Sequence, residues 1–366
     1  MENKYGGIEL YETEREADAV LPVNYTELEP WLSQRQAPKH RAHIEKLLRQ
    51  CGCYNLDGFV RLTHALSLND TFWVKSRQSD LNWNDVSLYR NEFDETIARL
   101  AFEGGLYGDY FSTTSPEFGT SGSFAKCWVR EQDGIYLMKC GSEGFANAGL
   151  EPYSEMYASE IASAICHKSV PYTTQMYRGK LVSSCPLFTD EENGFVAMIH
   201  FRKTTQPGEL LRFMEKYEAE DDFRRMLVLD ALILNVDRHP GNYGMIFDTD
   251  TMEIKGMAPV FDHNMSLLPY AMQEDFDNLD EYLSSRPARI GIDFNEVANS
   301  MLTPDIRADL RNLYGFRFSR NYAYALPEDR LRILESVVNS QINRILKRIP
   351  LYIPPADDTG IFKIDR

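Results

Sequence analysis

The chain is expected to fold as an α+β protein in two lobes, a small β-rich lobe followed by a helical one, behind a mostly helical N-terminal extension. Three features predict this. From residue 106 to 190 short apolar strands alternate with turn signals, and one helix is set among them. After about residue 195 the texture turns helical, led by the oily run DDFRRMLVLDALILNV (221–236). Within residues 25–105, IEKLLRQ and NEFDETIARLAF (91–102) space their apolar residues at helical intervals, with SLNDTFWVK (67–75) between them as loop or strand. At about 150 residues per domain, 366 residues suit two or so domains. The divisions fall at 1–105, 106–190 and 191–366.

Each element has its own signal. AKCWVRE and GIYLMKC flank EQDG (131–134), which reads as a hairpin turn. After EPYS comes a helix, EMYASEIASAIC (155–166). TTQMYR and KLVSSCPLF are strands around the turn Arg178-Gly179. GMIFDTDTMEIKGMAPVFD (244–262) is a hairpin-like pair. The last helix, LPEDRLRILESVVNSQINRILKRI (326–349), has Pro327 and acids at its start and Lys-Arg at its end, as the helix dipole favours. Leu331, Leu334, Val338, Ile342 and Ile345 form its core stripe.

The composition, 43% hydrophobic and 26% charged, is that of a globular chain. A formal charge of −16 repels nucleic acid and anionic membrane, so no direct contact with either is expected. The most basic stretch, PKHRAHIEKLLR (38–49), reads as a helix with a solvated basic face, and residues 1–20 as an acidic tail. No window approaches about 20 apolar residues. The polar N-terminus does not read as a signal peptide, which points to a cytoplasmic protein. Cys51, Cys53, Cys127, Cys140, Cys166 and Cys185 read as buried free thiols, because Cys51-Gly-Cys53 has no second pair to complete a zinc site.

The chemistry-bearing residues come in a telling order. In LNVDRHPGNYG (234–244) an oily helix ends in polar groups, with Asn242 five positions after Asp237. Protein kinases place a base aspartate and a metal-binding asparagine at that spacing in their catalytic loop. The spacing alone is a weak signal. APVFDHNMSLL (258–268) puts Asp262 at the end of an apolar stretch, where it could face the same metal or simply cap the turn at Asn264 and Ser266. Upstream, FGTSGSFAKCWVR (118–130) is a Gly/Ser-rich loop running into a strand. Its backbone N–H groups could cradle phosphate, or it could be a flexible turn. Lys139 lies in the apolar strand IYLMKCG and needs an anion. Glu155 continues the inward stripe of Ala158, Ile161, Ala162 and Ile165, whereas Glu160 falls off it toward solvent.

With these residues in that order, the chain resembles the HipA-like serine/threonine kinases, the bacterial toxin-type kinases. It is more distantly similar to phosphatidylinositol-3-kinase-type enzymes, which share the Asp-Arg-His-x-x-Asn order. The resemblance rests on NVDRHPGNYG (235–244), APVFDHNMSL (258–267), SGSFAK (121–126) and LMK (137–139). It covers residues 118–268, the helical tail to about 350 fits it, and residues 1–105 show no match. It implies a two-lobed protein-kinase-like fold and an ATP- and Mg2+-dependent transfer of phosphate to serine or threonine. By position Asp237 would be the base, and Asn242 and Asp262 the Mg2+ ligands. Lys139, paired with Glu155, would hold the ATP phosphates, and the loop with Thr120, Ser121, Gly122, Ser123 and Lys126 would cover them. Adenine would lie along the backbone of Pro186–Thr189, at Leu187, Phe188 and Thr189.

The resemblance also gives His239 a supporting role in the catalytic loop, the bland alternative being a satisfied buried histidine. Asp230 would bond the loop's backbone. Family members autophosphorylate a loop serine. Gly119 stands at the usual position here, which leaves Ser121 first, then Thr120 and Ser123. Asn264 replaces a common glycine and tolerates the same left-handed backbone. An antitoxin-like partner, as in a toxin–antitoxin system, is implied as well. No motif names the protein substrate. A kinase for a lipid or small molecule, and a nucleotide-binding interaction protein with little catalysis, are the alternatives.

Overall fold

The computed structural model describes residue 23 and residues 28–36, 56–76, 78–103, 115–116, 123–145, 147–291 and 293–349. The acidic tail 1–20, the basic stretch 38–49, Cys51 and Cys53 lie outside the described residues. Within the extension the helices are short: α1 (Leu28–Gln34), α2 (Leu56–Thr63), α3 (Trp83–Val86) and α4 (Glu95–Glu103). The stretch 67–75 is irregular rather than a strand.

β1 (Lys126–Glu131) and β2 (Gly134–Cys140) form the expected hairpin, and β3 (Thr173–Tyr177) and β4 (Lys180–Pro186) the next. Arg178 and Gly179 both adopt positive φ, 48° and 77°, as a two-residue turn matched to strand twist requires. The four strands make one antiparallel sheet in the order β1-β2-β4-β3. Lys126 lies directly opposite Lys139, and Lys139 opposite Ser183, so the three side chains share a face. Cys127, Met138, Cys140 and Val182 line the other face, where Ala98 and Phe102 of α4 cover them.

The helix expected at 155–166 is α5 (Glu151–Ile165), which begins four residues earlier. Pro152 belongs to its first turn, where a missing N–H costs nothing, rather than to a preceding loop. Glu160 is half-buried and accepts from the Ser319 N–H at 2.9 Å, which corrects its assignment to solvent.

The remainder is α6 (Pro207–Glu215), α7 (Glu220–Ile233), α8 (Gln273–Asp277), α9 (Leu279–Ser284), α10 (Phe294–Met301), α11 (Pro304–Asn312) and α12 (Glu328–Lys347). The expected hairpin, β6 (Gly244–Asp248) and β7 (Ile254–Met257), gains a third strand, β5 (Asn193–Ala197), in a second antiparallel sheet. The strand expected to run into Asp262 stops at Met257; beyond it Val260 makes one parallel bridge to Ser169. The main core joins α5, α7, the second sheet and α12, whose expected stripe is fully buried. Cys127, Cys140 and Cys185 are buried free thiols and Cys166 is partly buried and free. Among the described residues no helix is long and apolar enough to cross a membrane.

Candidate active site

The site is built where the first sheet, α5 and the two loops after α7 and β7 meet. The oily run of α7 is buried all round, and its end is set by Leu234, whose φ of 54° stops the helix three residues short of the expected 236. Asn235 then caps the bend: its Nδ2 donates to Asp230 (3.1 Å) and its Oδ1 accepts from the Asp237 N–H (3.0 Å). Asn242 Nδ2 donates to the Asp237 carbonyl at 3.1 Å, which fixes the amide and turns its Oδ1 the other way. Asp237 and Asn242 are thus tied through backbone.

Arg238, only 1% exposed, is the hub of this loop. Its guanidinium forks onto Asp230 at 3.0–3.2 Å. The same Nη1 donates to the carbonyls of Asn242 (2.9 Å) and Phe261 (2.6 Å). One nitrogen therefore joins the loop bearing Asn242 to the residue just before Asp262. Burial raises the Asp230 carboxyl, and Arg238 opposes that shift. Asp230, expected to bond loop backbone, instead bonds the side chains of Arg238 and Asn235. His239 is exposed, and its Nδ1 accepts from the Gly241 N–H at 3.0 Å. The buried-histidine alternative is corrected accordingly: the buried support is Arg238. His263 next to Asp262 is the buried histidine, held neutral by burial first and by Arg238 second.

Lys139 Nζ bridges Glu155 Oε1 at 2.5 Å and Asp262 Oδ1 at 2.7 Å. Glu155 is fully buried and also accepts from the Ser183 hydroxyl. Asp262 takes a φ of 57°, and its N–H donates to the Tyr172 hydroxyl at 3.1 Å. It accepts from Lys139 and does not cap Asn264 or Ser266. Burial pushes the Asp262 carboxyl up, but Lys139, and behind it Lys126 and Arg238, outweigh burial and hold it well below the usual carboxylate range. Burial lowers Lys139, and Asp262 and Glu155 outweigh that too, so the ammonium keeps its proton far above its ordinary range. Complete burial raises Glu155 against the pull of Lys139.

A pH experiment follows from these directions. A depressed folded pKa contributes stability above the unfolded carboxylate value and loses it as pH falls through the folded one. The stability difference between wild type and Asp262→Asn is expected to be flat from about pH 5 to 9, to shrink as pH falls below about 4, and to be lost only as pH falls through the depressed folded value. Chemical unfolding across that range checks it; a difference that grows on acidification would refute the ion pair.

The remaining expected site residues divide. Lys126 is buried on the face of Lys139. Ser123 is exposed, and Thr120, Ser121 and Gly122 lie outside the described residues. Phe188 packs on Phe261 (ring centroids 5.2 Å) in an apolar cluster with Leu137, Val170, Tyr172 and Cys185. Leu187 packs instead toward Ile135 and the extension, and its N–H donates to the Ile135 carbonyl at 2.8 Å. Thr189 Oγ1 donates to the Leu68 carbonyl at 2.5 Å. Asp237 is a third exposed, with Arg289 Nη2 3.5 Å from its Oδ1. Ser183, Tyr172 and Arg289 were not foreseen. For Arg238 a signal existed: an aspartate inside the apolar run of α7 demands a buried cation.

Among the described residues no group of three His, Cys, Asp or Glu stands together for a metal. Two oxygen donors on tied loops, one Asp and one Asn, are the set Mg2+ takes when phosphates and water complete its shell.

A buried lysine–glutamate pair beside an aspartate, with a tied Asp-x4-Asn loop, is an arrangement that phosphotransfer sites use. No family model matches the chain. Over 149 residues it is 28% identical to the serine/threonine-protein kinase CtkA of Helicobacter pylori, covering 35% of this chain and 46% of that protein. The chain thus spans less than half the length of this curated relative. The crystal structure of the H. pylori proinflammatory kinase CtkA aligns at 19% identity and a TM-score of 0.47, over 61% of this chain and 94% of that one. HipA of Shewanella oneidensis, solved with HipB and operator DNA, aligns at 12% identity and a TM-score of 0.51, over 88% of each chain, and shares the fold. Part of the chain is thus similar in sequence to a serine/threonine-protein kinase, and its fold is similar to that of HipA.

Proposed function

We propose that this chain is an ATP- and Mg2+-dependent serine/threonine protein kinase of the HipA-like kind. The observation that supports it most is the buried ammonium of Lys139, shared by Glu155 and Asp262 across 123 positions of sequence. A structural ion pair needs one carboxylate; the second one, at the end of a loop tied to Asn242, is what a phosphate-transfer site needs. In this reading Lys139 holds the phosphates and Glu155 keeps its ammonium in place. Asp262 and Asn242 Oδ1 hold Mg2+, which supplies charge neutralisation for the transferring group. Asp237, the most accessible of these carboxylates, orients the attacking hydroxyl and takes up its proton. The adenine would be held along the backbone of Pro186–Thr189, beside Phe188. Ser121, Thr120 and Ser123 are the sites for autophosphorylation, and an antitoxin-like protein is a partner.

The test is transfer of label from γ-labelled ATP. Wild type is expected to label protein at serine or threonine, to stop with chelator and to resume with Mg2+. Asp262→Ala is expected to lower transfer about a thousandfold through loss of several kcal/mol of charge stabilisation. Indifference to chelator would remove the metal from the proposal. Label appearing in lipid or a small metabolite instead of protein would move it to that substrate class.

A further inference from the structure

The extension does not hang beside the site; it crosses the back of the segment that joins the two sheets. That segment runs from Leu187 to Glu192, between β4 and β5. Leu66, Leu68, Val86 and Leu88 pack with Ile135 of β2 and against Leu187 and Trp128. The Leu68 carbonyl accepts from Thr189 Oγ1 (2.5 Å) and from the Tyr89 hydroxyl (2.8 Å). One residue on, the Asn69 carbonyl accepts from the N–H of Phe195 in β5 (2.7 Å). The extension thus bonds both ends of the joint. At its middle, Glu191 accepts from Trp83 Nε1 (2.5 Å), and Arg90 Nε lies 2.7 and 2.9 Å from its two oxygens. From the opposite side Thr249 Oγ1 donates to the Glu191 carbonyl at 2.6 Å.

The crossing segment is itself anchored. Arg35, after α1, grips Asp70 with two bonds of 2.8 and 2.9 Å, donates to the Phe72 carbonyl at 3.0 Å and lies over the Trp31 ring. Arg35 and Asp70 are both buried, so this end of the crossing is fixed, not adaptable. The other face of the joint is the aromatic cluster of Phe188, Phe195 and Phe261, beside Asp262. Any opening between the first sheet and the helical part must bend residues 187–192, and the bend would have to break these outer bonds.

We propose that residues 66–76 and 78–91 form a strap that fixes the angle of this joint, and that Glu191 is the positioning residue through which it slows the departure of nucleotide from the site. Nothing in the sequence assigned a role to this region, and the kinetic half of the proposal rests on the nucleotide-binding reading above. Glu191 lies outside the site itself, so the strap acts on access and not on the chemical step.

The test uses the full chain carrying Glu191→Ala, Glu191→Gln or Trp83→Phe. Loss of a partly exposed charge-assisted bond is expected to speed amide exchange at Phe195 about tenfold in Glu191→Ala. Dissociation of a fluorescent ATP analogue should quicken by about the same factor, with KM for ATP rising while kcat stays within about twofold. Trp83→Phe removes the N–H and part of the ring but leaves the Arg90 bond to Glu191, so a smaller shift in the same direction is expected. A purely structural role would lower stability without splitting KM from kcat. Wild-type exchange at Phe195 in all three variants would overturn the strap. Faster exchange with unchanged nucleotide departure would overturn its link to the site. If wild type binds no nucleotide, the kinase reading falls, and exchange alone decides whether the joint is strapped.

Discussion

Asp237→Ala is expected to abolish γ-phosphate transfer and leave the fold in place. The loss should be about 10²–10⁴-fold, the range for a general base placed at the reacting hydroxyl. The structure says why the fold survives. Asp237 is held by its backbone: its N–H donates to Asn235 Oδ1 and its carbonyl accepts from Asn242 Nδ2. Alanine keeps both bonds. The side chain is a third exposed, and its cation, Arg289, is itself 61% exposed, so removing the carboxylate strands no buried charge. Stability should change by no more than about 0.5 kcal/mol. Labelling from γ-labelled ATP and denaturant unfolding of the same sample measure both halves. Undiminished autophosphorylation would sink the assignment of the base. Comparing phosphoproteins in cells making wild type or Asp237→Ala would identify the substrate as well.

The neighbouring residue should behave in the opposite way. Arg238→Met leaves Asp230 buried without its counter-charge and unbinds the carbonyls of Asn242 and Phe261. Breaking a buried pair by removing one partner costs about 3–5 kcal/mol. Transfer should fall with it, because the loops bearing Asn242 and Asp262 lose their common donor. The two effects can be separated. Removing both charges, in Asp230→Leu with Arg238→Met, is expected to restore most of the stability, since well-packed apolar replacements of buried pairs are often neutral. It should not restore transfer. A double variant that recovers activity along with stability would show that Arg238 serves the core and not the alignment of the two loops.

What the sequence made legible was local. Both first-sheet hairpins follow from apolar runs around turn residues, and the inward face of α5 from spacing alone, which correctly singled out Glu155 for Lys139. Side chains that act across long separations were harder to see. Ser183 reaches Glu155 only because β4 pairs beside β2, a register that strand composition does not encode. The aspartate inside α7 signals a buried cation, but that Arg238 supplies it shows only where α7 and the Asp262 loop close around it. The start of α5 was missed because a proline reads as a break, although it is tolerated in a first turn. Strand β5 was missed because NGFVA (193–197) is too short to stand out from the helical texture that follows.

The ammonium between Glu155 and Asp262 has a thermodynamic consequence. Lys139 already has its counterions within the protein, and a second lysine, Lys126, stands opposite it in the sheet. On the proposed reading, nucleotide binding is an ion exchange and not a simple addition. An anion that claims Lys139 uncovers an oxygen of Asp262, and that oxygen then calls for a cation of its own. Anion and cation should therefore enter as a matched pair, each weakly retained without the other.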